Sequence, residues 1–325
     1  MNRVLVTGGS GFIGSNFLRY FLNKFKDISV INLDKLTYAG LRSNTVEHET
    51  NPRYEFVHGD ICNAELVKSL MSRVDSVIHF AAETHVDRSI DSPDEFVRTN
   101  VLGTNTLLNA AKNAKLKRFI HFSTDEVYGS IKQGSFTETF PLDPSSPYSA
   151  AKAASDLLAL AYHKTHGIPV IIMRCTNNYG PYHFPEKVIP LFITNLIEGK
   201  KVPLYAKGGN VRDWLYVEDT ARAVSFVFEH GKIGEIYNVA GRCELSNIEL
   251  TGMILKEFGK GEEMIQYVKD RLAHDFRYSL DMSKLEALGF EITSTIHDNL
   301  RKTIDWYRAN EAWWRKLKAD RYTLK

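Results

Sequence analysis

The stretch RVLVTGGSGFIGS, Arg3 to Ser15, decides how the rest of the chain is read. Val4, Leu5 and Val6 form a short apolar run of the kind buried strands use, and glycines follow at once. Gly9, Gly11 and Gly14 stand in G-x-G-x-x-G register, while Gly8, Gly11 and Gly14 recur at every third position. Such glycines allow a tight turn and let the backbone approach a pyrophosphate seated on a helix N-terminus. Phe12, Ile13, Phe17, Leu18, Phe21, Leu22 and Phe25 then recur at three- and four-residue intervals, which predicts a helix with one buried face. Glycines alone would also suit a strand-to-helix turn that binds nothing. Asp34 adds the missing context, standing 20 residues after Gly14 at the end of the next strand candidate. A carboxylate there accepts hydrogen bonds from an adenosine ribose and repels a 2′-phosphate. The stretch therefore predicts a dinucleotide site, with NAD favoured over NADP.

Working outward, strand candidates fall at 3–7, 28–33, 54–58, 76–82, 118–123 and 169–175. Helical periods separate them: Phe96, Val97, Val101, Leu107, Leu108 and Ala111 mark one, and Leu157, Leu158 and Ala161 another. Strands that alternate with helices, several of them apolar throughout, predict an α/β fold, a doubly wound parallel sheet covered on both faces. After Cys175 the rhythm changes and Pro and Gly become frequent, in NNYGPYHFPEKVIP and LYAKGGNVRDW. The expected division is a Rossmann domain over 1–175 and a smaller α/β substrate-binding domain over 176–325, with the strand candidate at 235–241 returning to the main sheet. The basic, aromatic C-terminus WWRKLKADRYTLK is expected to be a solvated tail with a docked Trp.

Composition narrows the partners. At 325 residues, 43% hydrophobic and 25% charged, the chain is that of an ordinary folded protein. A net charge of +2 without long Lys/Arg runs offers no footprint for nucleic acid or an anionic membrane. Cys62, Cys175 and Cys243 are scattered, with no CxxC spacing, which fits a reducing compartment better than disulfides or zinc. MNRVLVTGG enters a strand at once, and no apolar run nears the ~20 residues of a membrane span, so the expectation is a soluble, cytoplasmic protein.

Two further segments carry chemistry. In SPYSAAKAASDLL, Tyr148 and Lys152 are i and i+4 on one helix face, where an ammonium can support a phenolate base; an exposed surface pair would read the same. STDEVYG, 123–129, sets Asp125 and Glu126 side by side at a strand end. In isolation that tetrapeptide fits a solvated loop; beside a cofactor site, two carboxylates in opposite protonation states can divide acid and base work. Asp60 in GDI and Ala81 and Ala82 in FAAETHVD sit where parallel strands end. Asp60 fits either a cofactor contact or a helix N-cap, and the alanines either a close approach to cofactor or plain packing.

With these segments in hand, the chain resembles an extended short-chain dehydrogenase/reductase, and within that superfamily the nucleotide-diphosphate-glucose 4,6-dehydratases, most closely their dTDP-glucose branch. VTGGSGFIGSN, DKLTYAG, FAAETHVDRSI, STDEVYG, YSAAKAASD, CTNNYGPYHFPEKVIPLF, VRDWLYVEDTARAV and DRLAHDFRYSLD carry the resemblance over nearly the whole chain. It implies a hydro-lyase that oxidises C4 of dTDP-glucose, eliminates water across C5 and C6, and returns the hydride to C6. Tyr148 would take the C4 hydroxyl proton, Glu126 the C5 proton, and Asp125 would protonate the leaving oxygen. Thr124 would bond the C4 oxygen, and Lys152 the nicotinamide ribose. Cofactor contacts are implied at Gly8, Gly11, Phe12, Ile13, Gly14, Asp34, Lys35, Leu36, Thr37, Asp60, Ile61, Phe80, Ala81, Ala82, Thr84, Thr99, Tyr148, Lys152 and Asn178. Substrate contacts are implied at Thr84, Thr124, Asp125, Glu126, Asn177, Lys187, Arg212, Asn247, Arg271 and His274, with Pro203 and Tyr205 lining the base. NAD would stay bound through each turnover, and no metal is required. One departure is DRLAHD at 270–275, where relatives often read Asp-Arg-Pro-Gly-His-Asp. A homodimer through helices near 94–112 and 148–163 is expected. The competing readings are a UDP-glucose 4,6-dehydratase, a sugar-nucleotide 4-epimerase on the same fold, and a catalytically silent NAD-binding module.

Overall fold

The computed structural model describes residues 2–269 and 275–323. Its strands are β1 (Arg3–Thr7), β2 (Ser29–Asp34), β3 (Tyr54–His58), β4 (Ser76–His79), β5 (Arg118–Thr124), β6 (Val170–Cys175), β7 (Asn177–Tyr179), β8 (Val202–Tyr205), β9 (Val211–Tyr216), β10 (Ile236–Val239), β11 (Glu244–Ser246) and β12 (Ile265–Val268). Seven of them form one sheet in the order β10-β6-β5-β4-β1-β2-β3, every pair parallel. From β1 the chain winds out through β2 and β3, then restarts at β4 on the other side. That reversal opens a crevice at the carboxyl ends of β1 and β4, where ligands of open α/β sheets bind.

Strand side chains alternate between two cores, as the pleat requires. Val4 and Val6 pack with Phe17, Leu18 and Phe21 of the helix Phe12–Lys24 and with Val224 and Val227 of the helix Val217–His230. Leu5, between them, faces Val67, Leu70, Leu107 and Leu108 on the opposite side. Burial on both faces explains why the strands read as continuous apolar runs. β10 pairs in register with β6, Ile236 to Ile172, so the late strand closes the sheet edge.

The helix Pro147–His166 starts with a reciprocal capping box between Ser146 and Ser149, with Pro147 in the first turn, and stops at Gly167 with φ 66°. Its buried face is Tyr148, Ala151, Lys152, Ser155, Asp156 and Ala159, whereas Leu157 is 58% exposed. The apolar period in the sequence therefore picked the wrong stripe, because this helix buries polar groups that find partners on β5 and β6. The preceding helical region is not one regular helix either: Val97–Gly103 is a π-helical segment. Buried Asn100 there clamps Glu83 through both its backbone N–H (2.9 Å) and its carbonyl (3.0 Å).

A third core gathers Tyr179, Phe192, Ile193, Trp214, Leu250, Ile254, Tyr307 and Trp314 around the short sheets β7-β9-β11 and β8-β12. The C-terminal segment is a helix, Glu311–Thr323, that exposes Arg315 and Lys316 to solvent and docks its tryptophan as expected. Trp314 is fully buried with its indole N–H on the Tyr307 carbonyl (2.8 Å), and Trp313 donates to Asn44 (3.0 Å).

Candidate active site

A cleft of about 490 Å³ runs from the β1 glycines across the ends of β4 and β5 to β8 and β9. Each glycine of the 8-11-14 set has its own reason to lack a side chain. Gly8 adopts φ +73°, and a Cβ on it would lie 2.6 Å from the Ala81 nitrogen. A Cβ on Gly14 would lie 2.2 Å from the Gly8 carbonyl oxygen, so this residue lets the helix press against the strand turn. A Cβ on Gly11 would meet only the Gly8 carbonyl, at 3.3 Å, leaving its other side on the cleft. Tight turn, open approach and close packing are the three roles of a dinucleotide-binding loop. Gly9 belongs to a different job, since its N–H is held by buried Asn32 (3.1 Å). Gly11 also N-caps the helix without a side-chain bond, which leaves first-turn N–H groups for an anion.

Asp34 ends β2 and is nearly buried, which raises its pKa; N–H bonds from Leu36 (2.8 Å) and Ser10 (2.9 Å) work against that rise. Those bonds use two of the carboxylate's roughly four acceptor positions, leaving others for ribose hydroxyls. Leu36, with φ 53°, supplies its backbone to Asp34 and does not line the cleft. Asp60 accepts from Cys62 N–H (2.8 Å) and pairs with Lys35 (2.9 Å), while Asn63 caps the next helix, so the N-cap alternative for Asp60 is wrong. Phe12, Ile13, Thr37, Ile61, Phe80, Ala81, Ala82, Thr84, Thr99 and Asn178 all line the same cleft.

The candidate reacting groups line the same cleft. The Thr124 hydroxyl donates to Asp125 (3.1 Å) and accepts from the Glu126 N–H (3.3 Å), opening a 3-10 turn over Asp125–Tyr128. Asp125 is 2% exposed; burial first, and the Glu126 charge second, push its pKa from 3.8 up to about 7. Its Oδ2 is buried with no hydrogen-bond partner among the described residues. Tyr148 is buried as well, and burial, then the Glu126 charge, drive its phenol upward, with the Thr124 hydroxyl working in the other direction. Lys152 donates to the Phe122 carbonyl (2.7 Å), and burial brings it down to about 8 against the pull of Asp156. The lysine is thus anchored to β5 and holds its charge close to neutrality.

Asp125 makes stability depend on pH. Its raised pKa means that the folded chain keeps a proton the unfolded chain releases, so its favourable contribution is full below about pH 4 and declines as pH rises towards 7. At ~1.4 kcal/mol per pKa unit the loss is on the order of a few kcal/mol. Asp125→Asn is expected to melt higher than the native chain above about pH 8, the gap closing on acidification; parallel melting curves would contradict this.

On the far wall, Asn177 holds a buried Oδ1 without a partner among the described residues, and Lys187 donates to the Thr84 carbonyl (3.2 Å). Arg212 is 5% exposed; it bonds the carbonyl of its own neighbour Val211 (2.7 Å) and braces the facing segment through the carbonyls of Phe276 (3.3 Å) and Asp275 (2.9 Å). Pro203, Tyr205 and Asn247 complete this end; Arg271, His274 and the Leu272-Ala273 departure lie outside the described residues. Sequence reading missed Tyr278, under the Arg212 guanidinium at 4.3 Å, and Tyr38, whose hydroxyl bonds Glu186 (2.8 Å) across the cleft. It also missed His183, stacked on Phe12 at 4.0 Å. These pairings join residues far apart in the chain, and no local spacing announces them.

With tyrosine and lysine on one helix beside a dinucleotide cradle, the fold is that of an extended short-chain dehydrogenase/reductase. A family model described as GDP-mannose 4,6 dehydratase matches residues 5–303. A dTDP-glucose 4,6-dehydratase of Streptomyces niveus is 52% identical over 322 residues, covering 98% of this chain and 96% of that protein. The crystal structure of DesIV, the dTDP-glucose 4,6-dehydratase of Streptomyces venezuelae, with NAD bound, superposes with a TM-score of 0.95 at 51% identity, covering 97% of this chain and 99% of that one. That of the dTDP-glucose 4,6-dehydratase of Bacillus anthracis with NAD gives 0.92 at 45% identity, covering 98% and 100%. The chain belongs to the dTDP-glucose 4,6-dehydratase family.

Proposed function

We propose that this protein is a hydro-lyase that converts dTDP-glucose to dTDP-4-keto-6-deoxyglucose with NAD as its bound cofactor. The observation that carries the reading is the buried Asp125 beside Glu126 in the cleft that holds Tyr148, with Asp125 raised to about 7. An acid that keeps its proton near neutrality and a neighbouring base are what C5/C6 elimination needs.

Gly8 and Gly11 would admit the pyrophosphate to the helix N-terminus that Gly14 lets pack close, Asp34 would hold the adenosine ribose and Lys152 the nicotinamide ribose. NAD, when bound, supplies the hydride acceptor for C4 and the hydride donor for C6, so one turnover has no net redox change. Tyr148 removes the C4 hydroxyl proton while Thr124 bonds the same oxygen and favours its developing charge. The resulting ketone acidifies C5; Glu126 takes that proton, and Asp125 gives its own to the departing C6 hydroxyl, which leaves as water; Glu126 would then return its proton to C5 as C6 is reduced. Asn177, Lys187, Arg212 and Asn247 would hold the diphosphate and sugar, with Pro203 and Tyr205 against the base; family resemblance adds Arg271 and His274.

The same reading assigns cofactor binding to residues 1–175 and nucleotide-sugar binding to 176–325, with β10 returning to the first unit. Val97, Leu102 and Leu157 expose apolar side chains on the two helical regions expected to form a homodimer. A cytoplasmic location fits the three cysteines, none of them in a disulfide. Among the described residues no helix is long and apolar enough to cross a membrane. An epimerase has no use for an acid and a base at C5 and C6, which sets that alternative aside. Parallel turnover of dTDP-glucose and UDP-glucose, read by NMR of the products, is expected to favour the thymidine substrate at least about tenfold, ~1.4 kcal/mol in the barrier. Reversed rates would assign the enzyme to uridine sugars, and equal rates would contradict a preference for thymidine.

A further inference from the structure

Beneath the cleft lies a charged cluster that none of the reaction steps uses. Asp156 follows Lys152 by one turn on the helix Pro147–His166 and is fully buried. Its Oδ2 accepts from Arg174 Nε of β6 at 2.9 Å, and its Oδ1 lies 3.2 Å from His121 Nε2 of β5. Arg174, 2% exposed, extends Nη1 to the Tyr128 hydroxyl at 2.8 Å and lies over that ring at 4.7 Å. The Tyr128 hydroxyl in turn donates to Asn238 of β10 at 2.9 Å, so it is engaged both as acceptor and as donor. Tyr128 is the last residue of the Asp125–Tyr128 turn. One line of directional bonds thus starts on the helix that presents Tyr148 and Lys152 and ends in the turn that presents Asp125 and Glu126.

A buried ion pair is a poor way to gain stability, because apolar residues of the same volume do as well or better. It does fix geometry, since an Arg fork bonded on both arms tolerates little sliding between the elements it joins. Acid–base transfer is sensitive to such sliding, and a displacement of ~1 Å can cost 10²-fold in rate. Burial would push Asp156 up, but His121, Arg174 and Lys152 outweigh it and keep the carboxylate charged. His121, which burial pushes down, contributes a neutral ring.

We propose that Asp156, Arg174 and Tyr128 are positioning residues that lock the oxidising pair, Tyr148 and Lys152, in register with the eliminating pair, Asp125 and Glu126. The inference rests on the 4,6-dehydratase reading above. Its consequence is a division between steps: cutting the line at Tyr128 frees the acid–base turn while leaving Tyr148 and Lys152 on their helix, with Asp156 still paired to Arg174.

The test is single turnover of the NAD-loaded Tyr128→Phe enzyme with dTDP-glucose, following reduced nicotinamide by absorbance and product by quenched-flow mass analysis. The expected result is C4 oxidation within about twofold of the native rate, elimination slowed at least about tenfold, and a build-up of reduced nicotinamide absent from the native enzyme. Arg174→Lys, which keeps a cation for Asp156 and gives up the second arm, is expected to show the same division. Native step rates in Tyr128→Phe, or oxidation and elimination slowed alike, would overturn the proposal. Failure of the native enzyme to turn over would instead strike at the 4,6-dehydratase reading.

Discussion

Tyr148→Phe is expected to lower C4 oxidation by about 10³-fold, within the usual range for loss of a positioned base. The phenol is buried and driven upward by that burial and by the Glu126 charge, so the protein alone does not poise it as a phenolate. Deprotonation needs added positive charge, a role the proposed mechanism gives to Lys152, one helical turn on and bonded to the Phe122 carbonyl. Removing one hydroxyl from a site already shaped for an aromatic ring should leave folding and NAD retention unchanged. The measurement is the single-turnover rise of reduced nicotinamide; oxidation within about tenfold of the native rate would remove Tyr148 from its role as base.

The second large effect separates elimination from oxidation. Glu126→Gln is expected to oxidise C4 at close to the native rate and then stop, with dehydration slowed by about 10²–10⁴-fold. Asp125→Asn stops at the same stage for the opposite reason, since it has no proton to give. Because the acid form of Asp125 is the useful one and its pKa lies near 7, native elimination should fall as pH rises through about 7. In Asp125→Asn that descending limb should vanish along with most of the rate. Reaction-stopped mass analysis across pH reads both; equal loss of oxidation in Glu126→Gln and Tyr148→Phe would contradict the division of labour.

Much of the frame could be read from residue order. β1 and β3 have the bounds expected from RVLVT and YEFVH, β1 as a buried apolar run and β3, partly buried at the sheet edge, as a short run rich in aromatic and β-branched residues. The 8-11-14 glycines were legible from their spacing, Gly8 and Gly14 where backbone crowds backbone and Gly11 where the turn opens on the cleft. Where side chains answer to distant partners, local pattern failed. The Pro147–His166 helix turns Asp156 and Lys152 inward and Leu157 outward, against its apolar period, because Arg174 and the Phe122 carbonyl wait on β6 and β5. Asp60 resembled an N-cap, and only the fold shows that Asn63 takes that place and Lys35 takes Asp60. Tyr38 and Glu186 are 148 positions apart, and their hydrogen bond exists only once the cleft has formed.

In the proposed reaction one bound cofactor takes hydride from C4 and gives it back at C6 around an elimination run by Asp125 and Glu126. Incubation with dTDP-glucose deuterated at C4, with mass and NMR analysis of the product, tests it most directly. Deuterium is expected at C6 of a 4-keto-6-deoxy sugar, with no net accumulation of NADH. Label retained at C4 of a dTDP-galactose product would contradict it and make the protein an epimerase, and label lost from the sugar altogether would rule out internal hydride return.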